Sequence, residues 1–319
     1  MMSGTMLSSP EDAYGYVKLT NPSAYTSFLQ FRNIHVAEVD FFGRVTKWQQ
    51  LDLMQKNLSY RRVRRLKEEV HAHLIKPLVI PIFYDLPKEH MKLYKELMND
   101  QILLLDDGSK IDASTAQRLY HYSQQIITNW GYFADDPTKR SAVFDLIDQV
   151  CEQLRLGEPP VPGVEAGPDA EKLILWTMYK MTSRTVLGYL QEKLKPLGKE
   201  AVGAWSETDS RKAVAAFMRD PDTVGMAAQP GSVGAGLNPQ YVCRAIGYVE
   251  IPTRTIGFIQ SSGRIYREGQ KYQPLVWLFV ARDTIQEKLL ENLQTNDDLV
   301  NKVSGTKQGI RNMIFPNGR

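Results

Sequence analysis

The residues best suited to chemistry are two arginines three positions apart, Arg264 and Arg267. They lie in the run Gln260-Ser261-Ser262-Gly263-Arg264-Ile265-Tyr266-Arg267-Glu268-Gly269-Gln270. A guanidinium is permanently charged and forks onto phosphate oxygens. At this spacing the two side chains lie on one side of a helix end. Upstream is a Gly-rich turn, Pro230-Gly231-Ser232-Val233-Gly234-Ala235-Gly236-Leu237-Asn238. Such a turn lets backbone N–H groups approach a phosphate closely, though many α/β loops carry one. An arginine that reaches a transferring γ-phosphoryl group is worth ~10³–10⁵ in rate in nucleotide hydrolases. From the residues alone a second reading stands beside this one, a pair of surface arginines near Glu268.

The complementary chemistry is missing from these 319 residues. No G-x-x-x-x-G-K-[ST] occurs; Lys199 follows Gly198 but precedes Glu200. Ile102-Leu103-Leu104-Leu105-Asp106-Asp107 resembles a strand that presents a metal-binding Asp, but the favoured reading is the end of a helix turned by Gly108. Tyr60-Arg61-Arg62-Val63-Arg64-Arg65-Leu66-Lys67-Glu68-Glu69-Val70 is the densest basic cluster, read first as a solvated face and second as a phosphate-contacting patch. The chain thus offers arginines to a nucleotide without the means to hold one.

Composition sets the bounds. Hydrophobic content of 43% and charged content of 24% are ordinary for a globular protein, and a net charge of +3 does not by itself argue for nucleic acid. Cys151 and Cys243 have no metal-type spacing and read as core thiols. No signal peptide or membrane-length apolar run is apparent.

The elements that must position the arginines follow from periodicity. Ser9-Pro10-Glu11-Asp12 is a helix start. Residues 25–60 lack clean periodicity, with a short hairpin or loop at 40–47. Leu78 to Tyr84 is β-rich, demoted by Pro81 to an edge or a crossing linker. Helices are expected over 88–105, 113–134 and 139–156. Beyond a Pro/Gly-rich linker, strands (172–177, 201–205, 223–229, 241–249, 275–281) alternate with helices (182–194, 209–218, 253–265, 283–293). That alternation predicts an α/β fold on a parallel sheet, with ligands off the carboxyl ends of the strands.

The order of these pieces resembles the Snf2-like branch of superfamily 2 helicases and DNA translocases. The run from Gln260 to Gln270 matches that family's motif VI, Q-x-x-x-R-x-x-R-x-G-Q, and Gly236-Leu237-Asn238 matches the G-L-N of motif V. Lys172 to Tyr179 is similar to the strand of motif IV. The helix from Asp209 through Arg211 to Phe217 is similar to the one carrying a family arginine. Ser3-Gly4-Thr5 with Pro10-Glu11-Asp12 resembles motif III, with Met6 where proline is usual. After motif V the family's acidic Asp-x-x-W-N-P stretch is replaced by Val249-Glu250-Ile251-Pro252-Thr253-Arg254.

The resemblance implies a RecA-like helicase second lobe over 169–300 and an incomplete tail of the first lobe over 1–85. A helical insertion at 86–156, a linker at 157–168 and a tail at 301–319 complete the chain. Apolar positions such as Tyr14, Val17, Leu19, Phe28 and Phe31 are then expected to be exposed. By the same analogy Arg264 and Arg267 are the catalytic residues, with Arg267 the finger. Gln260, Gly236 and Asn238 couple nucleotide to the lobe interface, while Gly231, Ser232, Gly234 and Arg211 contact nucleic acid. No metal site is expected in the chain itself. The cofactor implied is ATP with Mg²⁺, held mainly by a first lobe carrying motifs I and II, which would lie upstream of Met1. The partners implied are double-stranded DNA and that complementary lobe, not a membrane, in an intracellular setting with access to DNA. A non-enzymatic nucleic-acid-binding or regulatory module on a retained lobe is the alternative.

Overall fold

The computed structural model describes residues 7, 9–39, 45–63, 67–71, 73–104, 110–159, 171–233 and 237–304. The chain divides into two units: Met1–His73 with Arg254–Gln260 and Glu291–Arg319, and Leu74–Thr253 with Ser261–Leu290.

The first unit begins as its sequence dictates. Pro10 opens a single 3-10 turn, and the Asp12 carboxylate accepts the Ser9 N–H at 3.0 Å. Helix α1 (Ala13–Thr20) follows, then α2 (Phe28–His35), the antiparallel pair β1 (Val36–Val39) and β2 (Val45–Trp48), α3 (Leu51–Ser59) and the short α4 (Lys67–Val70). The hairpin anticipated around 40–47 is flanked by these two strands; its residues 40–44, like Ser3–Met6 of the motif III match and Arg64–Leu66 of the basic cluster, lie outside the described residues. Val17, Tyr25, Phe31, Met54 and Leu58 are buried together in a core of this unit's own. Two of the five residues expected to be exposed, Val17 and Phe31, are therefore interior, whereas Leu19 and Phe28 do face solvent. The 25–60 segment has no clean period because it changes element three times within 32 residues.

The second unit is built on a six-stranded parallel sheet, the α/β architecture anticipated from the alternation of strands and helices. Its elements in chain order are β3 (Leu78–Tyr84), α5 (Lys88–Asp100), β4 (Ile102–Leu104), β5 (Lys110–Asp112), α6 (Ala116–Thr128), α7 (Trp130–Phe133), α8 (Val143–Leu154), β6 (Leu173–Trp176), α9 (Lys180–Leu194), β7 (Glu200–Ala204), α10 (Glu207–Arg219), β8 (Thr223–Ala228) and β9 (Ala245–Tyr248). Along the chain then come α11 (Thr255–Ser262), whose residues up to Gln260 group with the first unit, β10 (Leu275–Ala281) of the sheet, and α12 (Ile285–Ser304), which groups with the first unit from Glu291 on. The sheet order is β3-β10-β9-β6-β8-β7. Strands β6, β8 and β9 are buried along their whole length, as continuous apolar runs covered on both faces must be.

Strand β3, which the sequence places in the 1–85 segment, pairs in this sheet, with Pro81 opposite Leu278 of β10. Proline lacks the N–H that a second neighbour would need, so the edge is where such a strand fits. The helices of the 86–156 segment also pack on this sheet. Leu97, Ile126, Ile147, Val150 and Leu154 share one apolar cluster with Leu173, Leu175 and Trp277. Cys151 and Cys243 are buried free thiols, as read.

Four elements depart from expectation. Helix α5 stops at Asp100 because Gln101 turns left-handed (φ 57°), and residues 102–104 form an antiparallel pair with 110–112 instead of closing the helix. Asp106 and Asp107 lie outside the described residues. The helix expected over 113–134 breaks at Asn129 into α6 and α7. The strand expected from Tyr241 starts only at Ala245, since Pro239 opens a 3-10 turn. Helix α11 ends at Ser262, three residues short of the expected Ile265. Residues 160–170 of the linker region and 305–319 of the tail are not described. Among the described residues no helix is long and apolar enough to cross a membrane.

Candidate functional site

Because α11 ends early, Arg264 and Arg267 stand in the turns beyond it, not on the helix. Backbone bonds from Arg264 N–H to the Ser261 carbonyl and from Ile265 N–H to the Ser262 carbonyl, both 3.3 Å, shape that turn. The Tyr248 hydroxyl at the end of β9 bonds the Ser261 hydroxyl and anchors the turn to the sheet. Arg264 is buried and donates Nη1 to the Leu237 carbonyl at 3.3 Å. Arg267 is half-buried; it donates Nη1 to the Asn238 amide oxygen at 2.7 Å and Nε to the Gly263 carbonyl at 3.1 Å. Two distant sequence motifs are thereby joined: both arginines hold the last two residues of the Gly-rich turn.

The electrostatics favour an anion. Desolvation and the neighbouring Arg267 charge both push the Arg264 guanidinium below its ordinary range, against an opposing effect of Tyr248. Arg267 bonds only neutral oxygens and makes no ion pair with a carboxylate among the described residues.

Gly269 and Gln270 complete the turn, and the sequence reading assigned neither a role. Gly269 has φ +93°, and a Cβ there would lie 2.4 Å from the Tyr241 ring. Gln270 donates to the Cys243 carbonyl at 3.1 Å and accepts the Tyr272 N–H at 3.1 Å, tying the end of the motif to the entry of β9. Gly269→Ala combines a backbone conformation that L-residues rarely adopt with that collision. It is expected to destabilise the second unit by roughly 1–3 kcal/mol, read as a lowered urea midpoint. Adding Tyr241→Ala should recover the steric part only.

The remaining candidates fall elsewhere. Gly231 is exposed with open space around its Cα, so glycine is not sterically required there. Ser232 closes the turn through its N–H to the Gln229 carbonyl at 3.0 Å. Gly234 and Gly236 lie outside the described residues. Arg211 is exposed on α10 and forms no hydrogen bond or ion pair among the described residues. Gln260 is exposed on α11 and groups with the first unit.

Sequence reading missed Glu250, where the family's acidic stretch is replaced. The side chain is fully buried just past β9. One carboxyl oxygen accepts the Met178 and Tyr179 N–H groups at 2.7 and 3.2 Å, and the other accepts the Thr182 hydroxyl at 2.6 Å. Burial pushes this carboxyl up to about 7, against the lowering effect of those three donors. Glu250 in turn helps burial raise the phenols of Tyr84, Tyr120 and Tyr179. The signal for it was an isolated acid inside an apolar stretch.

No protein-family model matches the chain. An uncharacterised ATP-dependent helicase of Mycoplasma pneumoniae is 22% identical over 271 residues, 82% of this chain and 24% of that protein. The chain therefore spans about a quarter of that relative's length. Among solved structures, the SWI2/SNF2 ATPase core of Sulfolobus solfataricus in complex with dsDNA aligns over 90% of this chain and 58% of that one, at 15% identity and a TM-score of 0.47. The C-terminal domain of the Sulfolobus solfataricus SWI2/SNF2 ATPase aligns over 68% of this chain and 85% of that one, at 12% identity and a TM-score of 0.43.

Proposed function

We propose that this chain supplies the second wall of an ATP site in a DNA-stimulated, Snf2-like translocase. In this reading Arg267 is the finger that reaches the γ-phosphate, and Arg264, buried behind it, adds charge and fixes the turn. Asn238 links them to the Gly-rich turn, which with Gly231, Ser232 and Arg211 faces the backbone of double-stranded DNA. Movement of that turn on DNA would be transmitted to Arg267 through a single hydrogen bond. Residues 237–238 and 263–267 contribute cationic and neutral groups, which fit phosphate and not Mg²⁺. ATP with its metal ion is therefore assigned mainly to a first lobe carrying motifs I and II, which supplies the phosphate cradle and the nucleophilic water's surroundings. The observation that carries the reading is the Arg267 guanidinium, bonded to Asn238 yet not neutralised by any carboxylate among the described residues.

The test is reconstitution. The chain is mixed with a separately expressed first lobe bearing motifs I and II, and ATP hydrolysis is followed with and without duplex DNA. No turnover by the chain alone and DNA-stimulated turnover by the mixture are expected. Turnover by the chain alone would sink the requirement for the other lobe. The lack of a G-K-[ST] cradle in these 319 residues favours one alternative, a nucleic-acid-binding module without turnover. Salt-sensitive DNA binding that persists while the mixture stays inactive would favour it.

A further inference from the structure

Three donors converge on the buried Glu250 carboxyl from a segment some seventy residues earlier. Met178 and Tyr179 supply their N–H groups at 2.7 and 3.2 Å, and Thr182 its hydroxyl at 2.6 Å. Tyr179 is the capping residue immediately before α9, so Glu250 satisfies one N–H group that a helix start leaves open and that of the residue before it. The network continues outward. Thr182 accepts from the Asn129 amide at 3.0 Å, and Asn129 accepts from Thr185 at 2.8 Å. The Tyr179 hydroxyl meets His121 Nδ1 at 3.1 Å and the Gln124 amide at 3.4 Å, both on α6. A buried carboxyl is costly to desolvate, and an apolar residue of similar volume often serves stability as well. Its presence here calls for a role in specifying geometry.

We propose that Glu250 is a positioning residue that ties the loop from β6 into α9, and through it α6, to the strand end from which the chain runs on to Arg264 and Arg267. The main chain of Tyr179 is held by Glu250 and its ring by α6, so one residue links the helical segment to the carboxyl edge of the sheet. This role concerns the internal order of the second unit and stands whether or not Arg267 reaches a nucleotide.

Amide hydrogen exchange on the full chain tests it, comparing Glu250→Ala and Glu250→Gln with the unaltered protein. In Glu250→Ala the Met178 and Tyr179 amides should exchange about tenfold faster or more relative to Ile174 and Ile246 in the same molecule, one charge-assisted bond being worth at least that factor. In Glu250→Gln, whose amide oxygen still accepts, exchange should stay within about threefold of the original. Because glutamine also keeps the volume, Glu250→Met separates the two roles: it fills similar space without an acceptor and should exchange as fast as Glu250→Ala, whereas a merely space-filling role would leave the amides protected. If Glu250→Ala fails to fold, Glu250→Asp withdraws the carboxyl by one methylene and keeps its charge. Faster exchange at the two amides then supports the proposal and unchanged exchange overturns it. Protection in folded Glu250→Ala equal to the original, or glutamine exchanging as fast as alanine, also overturns it.

Discussion

Arg267→Ala should lower ATP turnover of the reconstituted enzyme by ~10³-fold or more, the range of an arginine finger, equivalent to roughly 4 kcal/mol of transition-state stabilisation. The loss should fall on kcat, with KM for ATP nearly unchanged, because the proposed finger would act on charge that develops during transfer. The fold should survive. Arg267 is half-buried, and its partners are an exposed amide oxygen and a carbonyl that water can replace. Arg267→Lys should recover only a small part of the rate: one ammonium cannot keep Asn238 and Gly263, as the guanidinium does here, and also present a planar fork to a phosphate oxygen. Arg264→Ala should differ in kind. That side chain is buried against Leu237, so its loss should lower the melting temperature as well as turnover. Normal turnover in Arg267→Ala, measured beside an unchanged melting curve, would remove the finger assignment.

The second large effect is on stability against pH. The folded Glu250 carboxyl sits near 7 against an ordinary value of 4.5. Between those values the folded state binds more protons than the unfolded one. Its contribution is therefore fully present below about pH 4.5 and is lost as pH rises through 7, a change of roughly 3 kcal/mol. His90 acts oppositely. Burial lowers its imidazole from 6.5 to about 4, despite the hydrogen bond to the Ile126 carbonyl. Its contribution is present above 6.5 and is lost as pH falls towards 4, also by roughly 3 kcal/mol. The two oppose each other, and the Glu171 carboxyl, which burial also raises, adds to the Glu250 side, so stability of the second unit of the unaltered protein should not rise from pH 4.5 to 7. Glu250→Gln should remove that carboxyl's share, and stability should then rise with pH across that window, relative to the unaltered protein, by roughly 3 kcal/mol. Urea midpoints at half-unit pH steps measure this. His35, which burial also lowers in the first unit, adds a rise of the same sign as His90, so the transitions should be followed by probes specific to the second unit. A profile in Glu250→Gln that coincides with that of the unaltered protein would mean that the carboxyl titrates near its ordinary value.

These two effects divide along what was readable beforehand. Arg264 and Arg267 were legible because their chemistry lies in residue type and short spacing, and because the Gly-rich turn precedes them at a strand end. The sheet was legible for a similar reason. Parallel strands buried on both faces must be continuous apolar runs, and Leu173 to Trp176, Thr223 to Ala228 and Leu275 to Ala281 could be little else. Short elements were less legible: β4 and β5 have three residues each, too few for a period to declare itself.

What the sequence by itself determined, then, is the set of chemical groups and the local elements that carry them: an alternating α/β chain, a Gly-rich turn, and two arginines without a phosphate cradle beside them. Only the tertiary structure decided which groups meet. The bond from Arg267 to Asn238 spans 29 residues, and the bonds from Met178 and Tyr179 to Glu250 span 72 and 71. Strand β3 reaches β10 across almost two hundred residues. Periodicity reports how one segment divides between core and solvent, whereas such pairings depend on strand order and on the cost of burying unpaired polar groups. Those are properties of the whole packed unit, and no window of sequence contains them.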